Sequence, residues 1–215
     1  MRNQRQREDA RRAILDATES VLVEAGPDGL SMRSVASRCG YAAPTIYHYF
    51  GDKLGLIDAL LEERFHRMLA SLEDVARGED PAAYLAELAR AFVRFGTDNP
   101  SHYLLLTVRS PGDRPPPPSA ERTRGLLEAP LLDLAERGLL RNADCDALLQ
   151  TLWALLHGLI SLTTSRPDYE WSEGLVDLAI DTFLNGVMRP DRAGMKRSRS
   201  AQDHGLRASS KGAPK

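Results

Sequence analysis

Apolar residues recur at helical spacing in successive segments of this chain, and the breaks between segments carry Gly, Pro, Asp or Ser; the pattern predicts an all-α fold of about nine helices. From about Glu8, the residues Ala10, Ile14, Ala17, Val21 and Leu22 mark a first helix that should end near Ala25, before Gly26 and Pro27. Met1 to Arg7, with three arginines and no apolar anchor, is expected to be a flexible basic arm. Ser31 can cap a second helix, Met32 to about Cys39, with Val35 and Ala36 inward. Gly40 supplies the sharp turn, and a third helix of about Ala43 to Tyr49 has Pro44 in its first turn, where a missing N–H does no harm. Ile46 and Phe50 face inward there, which leaves Thr45, Tyr47 and His48 on the outer surface. Asp52 caps a long fourth helix whose stripe runs Leu54, Ile57, Leu61, Phe65, Met68, Leu72 and Val75 and stops at Gly78.

Further on, Asp80 with Pro81 opens helix five (Leu88, Phe92, Phe95 inward), and Asn99 with Pro100 opens helix six, through about Arg109. The run from Ser110 to Ala120 is too rich in proline for a helix and reads as an exposed loop in polyproline conformation, with a PxxP-type ligand as the alternative. Helix seven is expected from about Glu121 to Glu136, kinked at Pro130. Helix eight follows the cap Asp144 and is apolar almost all round, so it must be covered on both sides. Ala147, Thr151, Ala154, Gly158 and Ser161 form a stripe of small residues along it that lets another helix approach. Trp171 and Ser172 are expected to staple and cap helix nine, whose buried stripe is Leu175, Ala179, Phe183 and Val187.

Charge changes the picture more than composition does. Residues 1–53 carry 8 basic against 7 acidic side chains, 54–188 carry 12 against 21, and 189–215 carry 8 against 2, so a net charge of -2 hides basic ends and an acidic middle. That suits a protein that meets a polyanion with one end. The last segment, from Pro190, lacks any apolar period and is expected to be a disordered basic tail that adds nonspecific DNA affinity. Cys39 and Cys145 lie far apart without CxxC or Cys/His spacing, which indicates neither a disulfide framework nor a zinc site. No apolar run approaches the roughly 18 to 20 residues of a membrane span and the arginine-rich start lacks the apolar stretch of a secretory signal, so a cytoplasmic protein is expected, with no membrane partner. There is no Gly-rich phosphate loop, nucleophile elbow or HExxH, and His48, His66, His102, His157 and His204 are scattered; no catalytic residue, cofactor or metal is expected.

The outward residues of helix three are of the types that meet DNA: a hydroxyl with a methyl for base edges, a phenol for a phosphate, an imidazole that can do either. Lys53, in the first turn of helix four, can grip a phosphate with neighbouring backbone N–H groups. Two short helices around a glycine turn also occur in proteins that never touch DNA.

The span from about Arg12 to Leu61 resembles the DNA-binding domain of the tetracycline-repressor (TetR/AcrR) family, through A-x-x-x-L-x-E-x-G, L-S-M-R-S-V-A-S-R-C-G and, most specifically, P-T-I-Y-H-Y-F-G-D-K-L-G-L. The resemblance implies a helix-turn-helix DNA-binding domain over 1–53, a helical ligand-binding and dimerisation domain over 54–188, and the tail over 189–215. It places DNA contacts at Ser31, Arg33, Ala43, Pro44, Thr45, Tyr47, His48 and Lys53, with Arg33, Thr45 and His48 for bases and Ser31, Tyr47 and Lys53 for phosphates. Ala42 departs from the family's capping Ser or Thr, and Tyr41 from its smaller aliphatic residue; a lost cap costs ~0.5 to 2 kcal/mol and leaves helix three less rigid before DNA binds.

It also implies that helices eight and nine pair with their copies in a homodimer, through Ala147, Thr151, Ala154, Gly158, Ser161, Ala179 and Phe183, although a monomer with helix eight as its central core stays open. The run W-A-L-L-H-G-L at Trp153 to Leu159, with N-P-S-H-Y-L-L-L before it, resembles one regulatory-domain subclass in which a tryptophan, a histidine and a glycine recur. There a cavity among helices four to eight receives a small-molecule effector; Phe65, Met68, Phe92, Phe95, Tyr103, Trp153 and His157 are the candidate lining, each equally able to be ordinary core. The function implied is an effector-responsive transcriptional regulator, a repressor on a palindromic operator, with an activator or an effector-independent DNA-binding protein as the alternative.

Overall fold

The structure, a computed structural model, describes residues 2–106 and 115–190, with side chains from Gln4. Among these residues it holds nine helices: α1 (Arg2–Gly29), α2 (Met32–Cys39), α3 (Ala43–Phe50), α4 (Lys53–Glu73), α5 (Pro81–Asp98), α6 (Pro100–Leu106), α7 (Pro118–Glu136), α8 (Cys145–Ser165) and α9 (Leu175–Val187). The only extended pairing described is an isolated antiparallel bridge between Leu140 and Met188.

Two apolar cores organise them. The first joins Ile14, Leu15, Ala17 and Val21 of α1, Val35 of α2, Ile46 of α3, and Leu56, Ile57, Leu60 and Leu61 of α4. The second joins Met68 and Leu72 of α4 to the buried faces of α5, α7, α8 and α9. Helix α4 therefore belongs to both, its first half to one and its second half to the other. Leu105 of α6, 3% exposed, is inserted into the first core, so α6 also ties the two together. Each such leucine taken from water contributes ~1.5 to 3 kcal/mol. Gly96 brings α5 against α8 so closely that a Cβ there would lie 2.6 Å from Ile160 Cδ1.

Polar side chains close the helix ends where the sequence led one to expect them: Ser31 accepts from Ser34 N (3.0 Å), Asp52 from Gly55 N (2.8 Å), Asp80 from Ala82 N (2.9 Å) and Asp144 from Ala147 N (3.0 Å). Several boundaries differ from expectation. The arm is helical from Arg2, because Arg, Gln and Glu are good helix formers and extending a packed helix adds a hydrogen bond per residue ordered. Gly26 does break α1, at φ 67°, ψ -177°, but the chain recovers a helical turn through Gly29. Helix α4 stops at Glu73 rather than Gly78, and α7 begins at Pro118, inside the expected loop. Helix α7 also runs through Pro130, which is buried, without a break.

At the other end, α9 starts at Leu175 behind Gly174 in the left-handed region (φ 74°), so Ser172 is not its cap; Trp171 instead donates to Arg166 O (3.2 Å). Arg189, assigned to the tail, is pinned: its N donates to Leu139 O and its Nε to Leu140 O, both at 2.8 Å. The rest of the expected tail, 191–215, the end of helix six and the part of the Pro-rich loop within 107–114 lie outside the described residues. Helix α8 is, by length and composition, apolar enough to cross a membrane, which corrects the estimate made from uninterrupted runs. Its Leu148, Leu149, Leu152, Leu156 and Ile160 are packed in the second core, yet Thr151, Trp153, Ala154, Ser161 and Leu162 on its other flank are exposed, so this chain by itself does not cover the helix all round.

Candidate nucleic-acid interface and regulatory cavity

The helix-turn-helix is held from beneath and open above. Ile46 is fully buried and anchors α3 on the first core, while Gly40 (φ 74°) turns the chain between α2 and α3 and donates its N–H to Ala36 O. Ala42 makes no side-chain cap, as expected. Of the residues proposed to meet DNA, Ser31, Arg33, Pro44, Tyr47 and His48 are exposed, and Ala43, Thr45 and Lys53 are half-buried. Two of them already have work within the chain. The Ser31 hydroxyl serves the reciprocal cap with Ser34, and Lys53 Nζ donates to Pro27 O at 3.0 Å, tying the start of α4 to the break in α1. Arg38, not singled out from the sequence, is held in a forked pair with Glu24 whose hydrogen bonds lower the Glu24 pKa and raise that of Arg38.

Beneath the head lies a guanidinium that sequence reading passed over. Arg64 of α4 is 1% exposed. Its Nε donates to Glu19 Oε2 (2.9 Å), its Nη2 to Asp16 Oδ1 (2.7 Å) and to Glu19 Oε2 (2.5 Å), and its Nη1 to Glu63. Burial works hardest against this charge, but Asp16, Glu63 and Glu19 together outweigh it and hold the pKa above the ordinary value. His102 of α6 joins from the other side, its Nε2 3.4 Å from Glu19 Oε2. Burial, with Arg64 and Arg67 nearby, lowers the His102 pKa against the pull of Glu19 and Glu63. The cluster thus links α1, α4 and α6. An arginine on a helix ordinarily lies on a solvated face, so nothing in the local pattern marked this one.

In the second core a cavity of about 620 Å³ opens between α4, α5, the end of α6 at Leu106, α7 and α8. Phe65, Met68, Phe92, Trp153 and His157 line it, as expected; Phe95 does not, being packed in the surrounding core, and Tyr103 reaches it only through His157. Helix α7 contributes Thr123, Arg124 and Leu127, and α8 contributes Asp146, Leu149 and Gln150, none of which the local sequence pattern singled out. His157 Nδ1 lies 2.6 Å from the Tyr103 hydroxyl, and its ring meets Phe92 and Trp153 edge-on, with centroids 5.6 and 5.1 Å away. Burial lowers the pKa of His157 and pushes that of Tyr103 up to about 12, so both are neutral at pH 7. At the rim, Arg124 pairs with Asp146 at 2.6 Å and with Glu128 at 3.3 Å.

The small-residue stripe of α8 lies on the helix's open side: Thr151, Ala154 and Ser161 are exposed, Ala147 and Gly158 half-buried. On α9, Ala179 is half-buried. Phe183, expected at the same interface, is 8% exposed and packs in this chain's own core; Leu178, 65% exposed, is the large apolar residue α9 presents outward. Cys145 is buried and Cys39 half-buried; both are free, and no metal-holding group of His, Cys, Asp or Glu occurs among the described residues.

A helix-turn-helix head seated on a helical bundle through a shared helix defines a class of regulators, and the chain's relatives narrow it. Residues 14–60 match the family described as bacterial regulatory proteins, tetR family, and residues 85–183 match the tetracyclin repressor-like C-terminal domain. The chain belongs to the TetR family of bacterial regulatory proteins. Among curated relatives, the HTH-type transcriptional regulator BetI of Burkholderia ambifaria is 34% identical over 87 residues, which are 40% of this chain and 45% of that protein. The HTH-type transcriptional repressor KstR of Mycolicibacterium smegmatis is 36% identical over 68 residues, 32% of this chain and 33% of that one. The chain thus matches less than half the length of these relatives. A TetR family transcription regulator from Marinobacter aquaeolei shares the fold at a TM-score of 0.73 and 20% identity, over 86% of this chain and 100% of that one. A protein of unknown function from Rhodococcus sp. RHA1 does so at 0.66 and 26%, over 84% and 96%.

Proposed function

We propose that this protein is a DNA-binding transcriptional regulator that acts as a repressor: a homodimer sets two copies of α3 into successive major grooves of a palindromic operator, and a small molecule in the cavity releases it. The observation that carries the reading is the anchored but outwardly open α2–Gly40–α3 unit, with Arg33, Tyr47 and His48 exposed on it and the tetR-family match covering it. The matched relatives named as a regulator and a repressor support the direction of control. Dimerisation through α8 and α9 is supported by the exposed Thr151, Ala154, Ser161, Leu162 and Leu178, and by the need of a palindrome for two heads. Phe183 is left out of that interface because its own core uses it. The ligand acts by binding better to the conformation that does not hold DNA, since equal affinity for both would shift nothing.

Selection of bound fragments from genomic DNA with the purified full-length chain, then titration on the recovered site, tests the reading. Tyr47→Ala and Lys53→Ala should weaken binding across all sequences by about tenfold, whereas Thr45→Ala and His48→Ala should also change base preference. Sedimentation equilibrium at micromolar concentration should give a dimer, and Ala154→Arg a monomer. Equal affinity in all four head variants overturns the DNA assignment, and a monomeric wild type overturns the pairing.

A further inference from the structure

The walls of the cavity restrict what can occupy it. Phe65, Met68, Phe92, Leu127 and Leu149 give it an apolar body. The charged residues among its described lining, Arg124 and Asp146, face each other at 2.6 Å, with side chains 53% and 59% exposed, so they neutralise each other at the rim instead of offering a charge to an occupant. A bare ion drawn into such a space loses its hydration without a counter-charge, which is costly. Of the uncharged polar side chains on the lining, the Thr123 hydroxyl donates to Ser119 O (2.8 Å) and the Gln150 amide to Asp146 Oδ2 (2.7 Å), which leaves the His157 ring as the half-buried group with an open edge.

Its hydrogen bonding is half complete. Nδ1 is taken by Tyr103 at 2.6 Å. Among the described residues Nε2 has no hydrogen-bond partner, and it is not one of their buried unpartnered atoms, which are Glu19 Oε1 and His102 Nδ1; it is therefore open to the space that His157 lines. The Tyr103 hydroxyl also lies 3.3 Å from the His157 backbone oxygen. Two arrangements follow without any net charge. When Tyr103 donates to Nδ1, the ring's proton sits on Nε2 and is offered to the cavity. When Nδ1 carries the proton and donates to Tyr103, the phenol donates to the backbone oxygen and Nε2 accepts.

Resting on the reading of this cavity as the ligand site, we infer that the ligand is an uncharged molecule with a largely aromatic or hydrocarbon body and a hydroxyl or carbonyl that hydrogen-bonds to His157 Nε2. A ligand of this class fills the apolar walls and completes the open edge of the imidazole; Tyr103 is a positioning residue that orients the ring and lets it serve either a donor or an acceptor.

Four probes of one body separate the possibilities: naphthalene, 2-naphthol, 2-naphthoate and 2-naphthylmethylammonium, titrated calorimetrically into the full-length protein at pH 7.5. 2-Naphthol should bind about tenfold tighter than naphthalene, as one good buried hydrogen bond gives, and both ions should bind more weakly than either. His157→Phe, which keeps the aromatic packing, should remove the preference for the hydroxyl while leaving naphthalene bound. His157→Gln, which restores a donor and an acceptor, should recover part of it, and Tyr103→Phe should reduce it several-fold. Tightest binding by the carboxylate or the ammonium, or a hydroxyl preference that survives His157→Phe, overturns the ligand class. Naphthalene and naphthol bound equally, and both lost in Leu149→Trp, overturn the class but keep the cavity as the site. Failure of every probe, or binding unchanged by Leu149→Trp, overturns the cavity reading itself.

Discussion

Two polar clusters sit in apolar surroundings, and they are built on opposite plans. Around Arg64, three carboxylates from two helices meet a buried guanidinium and leave the charge fully engaged. Around His157, two neutral groups share one hydrogen bond among aromatic rings and leave an edge of the imidazole open. The first fixes one helix on another, because a buried charge is tolerable only in the geometry that pairs it. The second costs little to bury and can be completed by something outside the chain. One cluster sets the head on α4; the other sets a requirement for whatever enters the cavity.

The largest effect should come from breaking the charged cluster. Arg64→Met leaves Glu19 buried without its counter-charge and should cost ~3 to 5 kcal/mol in urea unfolding, and adding Glu19→Gln should return much of it. A loss below ~1 kcal/mol would mean that packing alone holds the junction. A middle-sized effect should come from acid. Burial lowers the pKa of both His102 and His157 in the fold, while in the unfolded chain each titrates near ~6.5. Above that value both states are neutral and stability is flat; as pH falls below it, the unfolded chain takes up protons that the fold resists, and stability drops. Urea midpoints between pH 7.5 and 5.5 should show this, with a shallower fall in His157→Phe and in His102→Phe; an unchanged slope in both would show that neither ring stays neutral in the fold. The smallest effect should come from Arg38→Ala, which removes an exposed pair with Glu24 and should leave the urea midpoint almost unchanged, with any loss vanishing at 1 M salt. If Arg64→Met proved equally sensitive to salt, the contrast between a buried and a solvated ion pair would fail.

Much of the molecule was legible along the chain. Caps at Ser31, Asp52, Asp80 and Asp144, the turn at Gly40, the inward stripe of α5 and the Ile57, Leu61, Met68 and Leu72 part of the α4 stripe follow from interactions within a few residues, whereas Leu54 at the start of that stripe is exposed and Val75 lies beyond the helix. Five of seven expected cavity residues line it because aromatic and Met side chains on facing helices have few other places to go. Misreadings arose where distant chain segments decide. Phe95 and Phe183 have the same spacing as residues that face cavities or partners, and only the neighbours of α5 and α9 put them in the core. Gly174 moved the start of α9 past an apparent cap, and the packed α1 carried its helix into an arm that has no apolar residue between Arg2 and Arg7.

The sequence by itself determined the order of the helices, the side-chain caps of α2, α4, α5 and α8 and the outward turn of Tyr47 and His48, since these depend on backbone preferences and a period of 3.6 residues. Only the tertiary structure decided that Arg64 is buried, because its partners Asp16 and Glu19 are 48 and 45 residues away. Tertiary packing likewise made a half-bonded histidine, because Tyr103, 54 residues distant, takes one nitrogen and the cavity the other. A side chain's charge and hydrogen-bonding capacity are local, but whether they are spent or left available depends on what the fold brings beside it.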